Sequence, residues 1–152
     1  MSQVYYLDDF AVGQVFATGR LKIDADQIKA FAKQFDPQPF HLDEEAAKNS
    51  VFGGLAASGW HTAALTMRLM AEGDFKPAGG IIGVGFDELS WSRPVRPGDE
   101  LHAKSEILDV RPSKSRPDRG LIRVRTTTYN QNDEDVQSFV GNLIVPRHPS
   151  PQ

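Results

Sequence analysis

The sequence predicts a single α+β domain in which a curved antiparallel sheet of about five strands wraps around a buried central helix. Two observations support this prediction. The stretch from Trp60 to Glu72 is apolar nearly all round at helical spacing, which is typical of a helix surrounded by other elements. After Gly79 and Gly80 the hydrophobic period changes to two and stays so for most of the remaining chain. We therefore expect the strands to curl around this helix.

The segment before the central helix contains one predicted strand and two predicted helices. Asp24, with Gln27 three residues later, has the pattern of a capping box, so a helix should run from there to about Gln34. A shorter helix is expected to begin at Asp43 and to cover residues 44–48. Before both, residues 13–23 alternate as a half-buried strand does. The face of this strand that we expect to be buried holds Val15, Ala17, Gly19, Leu21 and Ile23.

The second half of the chain contains four predicted strands, at residues 81–95, 99–110, 120–131 and 135–146. Residues 96–99 and 130–133 have the composition of connecting turns. Residues 146–152 are expected to form a flexible tail of a domain that spans residues 1–152. A strand, a helical insertion, a buried helix and an antiparallel meander, in this order, match the hot-dog fold.

The composition is that of an ordinary globular protein, with 39% hydrophobic and 24% charged residues. The chain has no apolar run of membrane-spanning length, and its first residues lack the features of a secretory signal. We therefore expect a cytoplasmic protein without a membrane partner. The absence of cysteine excludes disulfides, thiolate catalysis and cysteine-based zinc sites. A net charge of −3 argues against general nucleic-acid binding.

Residues 35–43 (FDPQPFHLD) carry the candidate catalytic groups. Two prolines fix two φ angles here, and they bias the preceding residues, Asp36 and Gln38, towards extended or turn conformations. A segment this rigid can hold the carboxylate of Asp36 and the imidazole of His41 facing a common point. A carboxylate can orient an imidazole or accept a proton, and an imidazole titrates near neutrality, so the pair suits proton-transfer chemistry.

Other catalytic chemistries have little support in the sequence. The four histidines show no HExxH spacing and have no cysteine partners, which argues against a metal site. No GxSxG motif is present, which argues against a serine hydrolase. The glycines around Val84 are too few and lie in a predicted strand, so a dinucleotide site is not supported. We expect no cofactor.

Gly59 stands where the central helix begins, so amides at this point have no partner within the helix and face the positive end of its dipole. Such amides can stabilise an oxyanion on a thioester carbonyl, although a plain helix start accounts for the same residues. His61 follows within the first turn and is either a structural or a catalytic histidine. Residues 111–120 (RPSKSRPDRG) carry a local charge of +3, from four basic residues and one aspartate, which suits either a phosphate-bearing ligand or a solvated turn.

Three segments resemble the MaoC-like dehydratases, a family that includes the (R)-specific enoyl-CoA hydratases. They are residues 35–43 as quoted above, residues 52–59 (FGGLAASG) and residues 91–99 (WSRPVRPGD). The resemblance extends over most of residues 8–146. An Asp-x-x-Pro-x-His motif followed by a small-residue loop and a helix is fairly specific, whereas Pro-Val-x-Pro-Gly-Asp also marks related hot-dog proteins.

The resemblance implies a homodimer or a higher even oligomer with an acyl thioester, most simply of coenzyme A, in a tunnel at the subunit interface. Asp36 and His41 would hold and activate the water that adds across the α,β double bond. The amide of Gly59 would polarise the thioester carbonyl. Coenzyme A would then be part of the substrate rather than a cofactor.

The candidates for substrate contacts are Ser58, Trp60, Arg93, Arg96, Lys114, Arg116 and Arg119, of which the five basic residues are candidates for phosphate contacts. The chain departs from the family pattern at three positions. Gln38 stands where many members have Asn, Ser58 where many have His, and Ala64 where some have Ser. These departures bear on the water network and on the acyl preference, and tunnel depth is expected to depend on Trp60, Met67 and Phe86 among others.

Two alternative functions use the same scaffold. A hot-dog thioesterase would attack the carbonyl carbon instead of the β-carbon, but the Asp/His spacing resembles the hydratase motif. A non-catalytic subunit that binds acyl thioesters has no need of the Asp36 and His41 pair. The hydratase is therefore the favoured interpretation.

Overall fold

The computed structural model describes residues 3–149, which form six strands, four helices and one 3₁₀ turn. No helix within these residues is both long enough and apolar enough to cross a membrane. In chain order the elements are the 3₁₀ turn (Leu7–Asp9), β1 (Val15–Ala17), β2 (Leu21–Lys22), α1 (Ala25–Phe35), α2 (Pro39–Leu42), α3 (Glu44–Lys48), α4 (Gly59–Glu72), β3 (Ile82–Ser90), β4 (Glu100–Pro112), β5 (Arg119–Tyr129) and β6 (Asp135–Pro146). The antiparallel sheet and its central helix confirm the predicted α+β class.

The sheet has the strand order β1-β4-β5-β6-β3, and β2 also pairs with β4. β4 and β5 form a long hairpin, in which His102 opposes Tyr129 at one end and Pro112 opposes Gly120 at the other. In β5 the predicted alternation is confirmed, because the even-numbered residues 122–128 are buried. β3 pairs with β6 alone among the described strands, so it forms one edge of the sheet.

The single strand predicted for residues 13–23 is interrupted. β1 ends at Ala17, which pairs with Lys104, and β2 begins at Leu21, which pairs with Leu101. Three residues therefore lie between the two strands, whereas only two lie between their partners in β4. The extra residue forms a β-bulge. One extra residue reverses the side-chain alternation. Phe16 is therefore buried in place of Val15 and Ala17, whereas Ile23 beyond the bulge is buried as predicted.

The predicted helices before α4 are confirmed. The Asp24 carboxylate accepts the Gln27 backbone N–H at 2.8 Å, and the Gln27 side chain accepts the Asp24 N–H at 2.9 Å, which completes the capping box of α1. Asp43 caps α3. One further turn, α2, was not predicted. It starts with Pro39, at a position where a helix needs no amide donor.

α4 lies between two parts of the hydrophobic core. Met70 packs with the aromatic cluster beneath the N-terminal segment, whereas Leu69 packs with the cluster beneath α1. The other face of α4 is uncovered, since Trp60 is 58% and Met67 is 37% exposed. In the single chain the helix is therefore buried along one face rather than all round.

β3 is shorter than predicted, and it is uncovered. It ends at Ser90 instead of residue 95, since Pro94 has no amide to continue the ladder with β6. All nine residues of β3 are exposed. The large apolar side chains among them are those of Ile82, Val84, Phe86 and Leu89.

The C-terminal segment contacts the rest of the domain beyond residue 146, where the flexible tail is predicted to begin. Arg147 donates its backbone N–H to Asp118 at 2.8 Å, and its guanidinium pairs with Asp8 at 3.1 Å. His148 pairs with Asp9 at 2.9 Å. Contacts therefore continue to residue 148, and residues 150–152 of the predicted tail lie outside the described residues.

Replacing Asp24 by Ala is expected to lower the free energy of unfolding by about 1 kcal/mol, because the Gln27 backbone N–H loses the carboxylate that accepts its hydrogen bond. Urea denaturation followed by circular dichroism measures this. Asp26→Ala is the matched control, since it removes a carboxylate from the same turn that makes no side-chain hydrogen bond within residues 3–149. Equal losses in the two variants would contradict the capping role.

Candidate active site

Asp36 and His41 both line a cavity of about 340 Å³. Asp36 ends α1 with φ −153° and ψ 67°, outside the helical region, and His41 lies in α2. The rigid link between them brings the Asp36 Oδ2 and His41 Nε2 atoms to 3.4 Å from each other. The two predicted catalytic side chains therefore face a common point.

The hydrogen bond that His41 makes through Nδ1 determines its tautomer. Nδ1 lies 2.6 Å from the carbonyl oxygen of Ala56, and a carbonyl oxygen can only accept a hydrogen bond, so Nδ1 carries the proton. In the neutral ring Nε2 then presents a lone pair. Beside it, the Asp36 carboxylate presents a second acceptor. Two acceptors cannot satisfy each other, but a water molecule with two O–H bonds can donate to both.

The Asp36 carboxylate is held by two donors. Gln38 donates from Nε2 to Oδ1 at 2.5 Å, and Ser58 donates from its hydroxyl to Oδ2 at 2.7 Å. Burial acts to raise the pKa of Asp36, but these hydrogen bonds and the nearby His41 outweigh it, so the pKa lies below its usual value. Asp36 is therefore an anion at neutral pH.

Ser58 is the N-cap of α4. Its hydroxyl accepts the backbone N–H of Trp60 at 3.2 Å while it donates to Asp36, and the residue is fully buried. Its side chain does not line the cavity. The residue predicted to contact substrate instead connects the helix start to the carboxylate.

Gly59 is the first residue of α4 and lines the cavity. A Cβ atom at this position would lie 2.5 Å from Cε2 of the Trp91 indole, so only glycine fits. Ser58 accepts the amides of the next residues of the helix, whereas the Gly59 amide has no acceptor within residues 3–149. This amide is available at the positive end of the helix dipole, as predicted.

The walls of the cavity are mainly aromatic and apolar. Within residues 3–149 no three His, Asp or Glu side chains lie close enough together to hold a metal ion. The cavity wall includes the candidate Trp60, which stacks edge-on against Trp91 with ring centroids 5.3 Å apart. The lining residues with large apolar side chains are Phe40, Phe52, Trp60, Trp91 and Val95.

The two arginines of residues 91–99 have different surroundings. Arg93 lines the cavity, but it is paired with Asp135 at 2.8 Å and with Glu134 at 3.5 Å. Arg96 lies outside the cavity and donates to the carbonyl oxygens of residues 52, 54 and 55. Arg96 therefore holds the loop before α4, and its guanidinium is not free for a phosphate.

The basic candidates Lys114, Arg116 and Arg119 lie at the opposite end of the sheet. Lys114 and Arg116 belong to the turn between β4 and β5, and Arg119 is the first residue of β5, whereas the cavity borders the end of β5 that pairs with the start of β6. The 11 residues of β5 separate the two ends by roughly 35 Å at 3.3 Å per residue. Within one chain these residues and the catalytic pair do not meet.

His61 does not line the cavity. It is buried and stacks face to face on Phe31 at 4.4 Å, and its Nδ1 has no hydrogen-bond partner within the described residues. Burial lowers the pKa of His61, which keeps the ring neutral. The structural interpretation of this histidine therefore fits better than the catalytic one.

Sequence reasoning missed Ala56 and Trp91. Ala56 contributes only its carbonyl oxygen, so no side-chain signal could identify it. Trp91 was quoted only as part of a family motif, because its contact with Gly59 joins segments that are distant in sequence.

A family model of the MaoC-like domain matches residues 9–130. The chain belongs to the MaoC-like family. A MaoC-like dehydratase from Rhodospirillum rubrum has a crystal structure that superimposes with a TM-score of 0.93, at 55% identity over 96% of this chain and 99% of that one. This similarity confirms the predicted family and the hot-dog fold.

Two further relatives of this MaoC-like protein are known by sequence. The uncharacterised protein YdeM of Bacillus subtilis (strain 168) is 40% identical over 139 residues, which cover 91% of this chain and 96% of YdeM. The 3-hydroxybutyryl-CoA dehydratase of Methylorubrum extorquens is 30% identical over 115 residues, which cover 75% of this chain and 71% of that enzyme.

Replacing Ser58 by Ala is expected to raise the pKa of Asp36, because one of the hydrogen bonds that stabilise the carboxylate is lost. The folded-state pKa of Asp36 is depressed, so its contribution to stability is present at neutral pH and is lost as the pH falls through that pKa. Ser58→Ala therefore lowers the free energy of unfolding in two ways. The loss that comes from the Asp36 carboxylate should shrink at low pH, whereas the loss of about 1 kcal/mol that comes from the cap of α4 should remain.

A carbon-13 NMR titration of the aspartate carboxyl groups measures the shift in the pKa of Asp36. Ser92→Ala is the matched control, since the Ser92 hydroxyl donates to the carboxylate of Asp135 instead. An Asp36 pKa that moved equally in both variants, or in neither, would show that Ser58 does not stabilise the carboxylate.

Proposed function

We propose that this protein catalyses the reversible hydration of an enoyl thioester to a 3-hydroxyacyl thioester, most simply of coenzyme A. The observation that carries the proposal is a pair of acceptors, Asp36 Oδ2 and His41 Nε2, which lie 3.4 Å from each other in a cavity that Gly59 also lines. A water bound to both acceptors is oriented and loses a proton readily to one of them. The 3-hydroxybutyryl-CoA dehydratase among the relatives supports a coenzyme A thioester as the substrate.

The proposed reaction uses the Asp36 and His41 pair twice, first as a base and then as an acid, and the Gly59 amide once. The water oxygen bonds to C3 while its proton passes to the Asp36 and His41 pair. The π electrons move towards the thioester carbonyl, where the Gly59 N–H stabilises the enolate-like oxygen. C2 then takes a proton from the pair, which returns to its starting state, so the net change is the addition of one water. Dehydration follows the same steps in reverse.

We also propose that two copies of the chain associate through β3 and the uncovered face of α4. β3 is a nine-residue edge strand with four large exposed apolar side chains, and such an edge favours pairing with a second strand. Trp60 on α4 contacts Trp91 just beyond β3, so the helix face and the strand form one apolar surface. A second copy would cover it.

Purified protein is expected to remove the conjugated absorbance of crotonyl-CoA, and Asp36→Asn is expected to lower this rate by about 10²–10⁴-fold, because an amide cannot accept the proton of water. Asp9→Asn is the matched control. Asp9 also has a pKa lowered by hydrogen bonds, but it lies away from the cavity and outside β3. Asp9→Asn should turn over crotonyl-CoA at the wild-type rate.

The alternatives predict different results. Hydrolysis of the thioester also removes its conjugated absorbance, but it releases one free thiol for each thioester lost, whereas hydration releases none; equal release of thiol would therefore identify a thioesterase. If longer, branched and carboxylated enoyl-CoAs also gave neither signal, the hydratase proposal would be wrong and a non-catalytic thioester-binding subunit would be favoured.

Replacing Val84 by Lys is expected to dissociate the proposed dimer, because it places a charge in the apolar surface of β3. Light scattering after size exclusion should give about twice the 16.8 kDa of one chain for the wild type and a lower mass for the variant. Val12→Lys is the matched control, since Val12 is 67% exposed but lies outside β3, against 56% for Val84. A wild-type protein of single-chain mass would contradict the proposal.

A further inference from the structure

Trp91 connects the cavity to the interior of the protein. Its indole lies against Gly59 on the cavity side, where a Cβ of residue 59 would fall within 2.8 Å of three ring atoms. On its other side, Nε1 donates to the buried Oε1 atom of Gln137 at 2.8 Å. The ring therefore fills the space between the first turn of α4 and β6.

A chain of buried hydrogen bonds fixes the orientation of this ring. Gln137 donates from Nε2 to the Thr66 hydroxyl at 3.1 Å. Thr66 lies 2.8 Å from the carbonyl oxygen of Thr62, to which it donates, and 2.6 Å from the Thr128 hydroxyl, from which it accepts. Gln137, Thr66 and Thr128 are fully buried. Moving the indole would leave Gln137 Oε1 without a donor in the interior, which is unfavourable.

The bulge in β3 also directs this side chain. Glu88 has φ 55°, in the left-handed region that non-glycine residues rarely adopt, and the register with β6 shifts between Asp87 and Ser90. Bulges of this kind redirect side chains next to active sites. Here the bulge immediately precedes Trp91.

We propose that Trp91 is the specificity-determining residue of this site and that its indole restricts the acyl group to short chains. The inference rests on the proposed function, in which the thioester carbonyl binds the Gly59 amide. Because the indole is in contact with Gly59, an acyl chain attached to that carbonyl meets the ring within a few carbons. Behind the ring lie Gln137 and Thr66, which do not line the cavity.

The direct test is the affinity for a series of saturated thioesters, butyryl-, hexanoyl- and octanoyl-CoA, measured by isothermal titration calorimetry. Each methylene that a protein buries strengthens binding by about fourfold. The wild type is expected to gain nothing from butyryl to octanoyl. Trp91→Ala is expected to raise the ratio of octanoyl to butyryl affinity by at least about tenfold, because the space that the indole occupies becomes accessible to the acyl chain.

Two further variants sharpen the result. Trp91→Phe keeps a smaller ring and should shift the ratio in the same direction by a smaller factor, which decides the question if Trp91→Ala does not fold. Phe52→Ala is the matched control, since it removes an aromatic ring that lines the same cavity but packs on Phe40. It should change the affinities for all three thioesters by a similar factor.

Saturated thioesters cannot be hydrated, so this test does not depend on turnover. A folded Trp91→Ala variant with the wild-type ratio, or a wild type that already gains about fourfold per methylene, would overturn the inference even if crotonyl-CoA is hydrated. If the ratio of octanoyl to butyryl affinity shifts as predicted but the protein does not turn over crotonyl-CoA, the result would support the acyl pocket and reject the hydratase chemistry. Failure of wild type and variants to bind any of the three thioesters would overturn the inference.

Discussion

The Ser58 hydroxyl joins the two halves of the proposed site. It accepts the Trp60 amide as the cap of α4 and donates to the Asp36 carboxylate at the end of α1. A hydroxyl has one hydrogen and two lone pairs, so both bonds form at once. The helix start that presents the Gly59 amide and the carboxylate that is proposed to hold water are therefore fixed relative to each other. An oxyanion donor and a base need this kind of preorganisation, since neither can move during the reaction without losing the stabilisation that it provides.

The loop before α4 has small side chains because its backbone makes the contacts. The Ala56 carbonyl accepts from His41, and the Ala57 amide donates to Val95 at 2.9 Å. Arg96 binds three carbonyl oxygens of residues 52–55 from the other side. A side chain at position 54 would meet the Arg96 guanidinium, since a Cβ there would lie 3.3 Å from Nη1. The glycines and alanines of residues 52–59 thus position the imidazole of His41, although none of their side chains takes part in the chemistry.

Apart from His61 Nδ1, the buried polar side-chain atoms of residues 3–149 have hydrogen-bond partners, and the molecule combines this interior with one uncovered surface. Inside, even the buried polar side chains of Gln137, Thr66 and Thr128 have partners. Outside, β3 and one face of α4 leave apolar groups in water, which is unfavourable for an isolated chain. The cavity lies beside this surface, with Trp60 and Trp91 belonging to both. Association of two copies would therefore stabilise the chain and complete the walls of the proposed acyl site.

The sequence by itself determined the features that depend on residues close together in the chain. These are the capping box of α1, the alternation along β5, the span of α4, and the rigid segment that carries Asp36 and His41. Only the tertiary structure decided the bulge that buries Phe16, the bond from Ser58 to Asp36, the use of Arg96 on a loop and the position of Trp91 against Gly59. Local periodicity reports only which face of an element is apolar. These contacts join residues 22 or more positions apart or depend on a register shift, and both are set by how the elements pack.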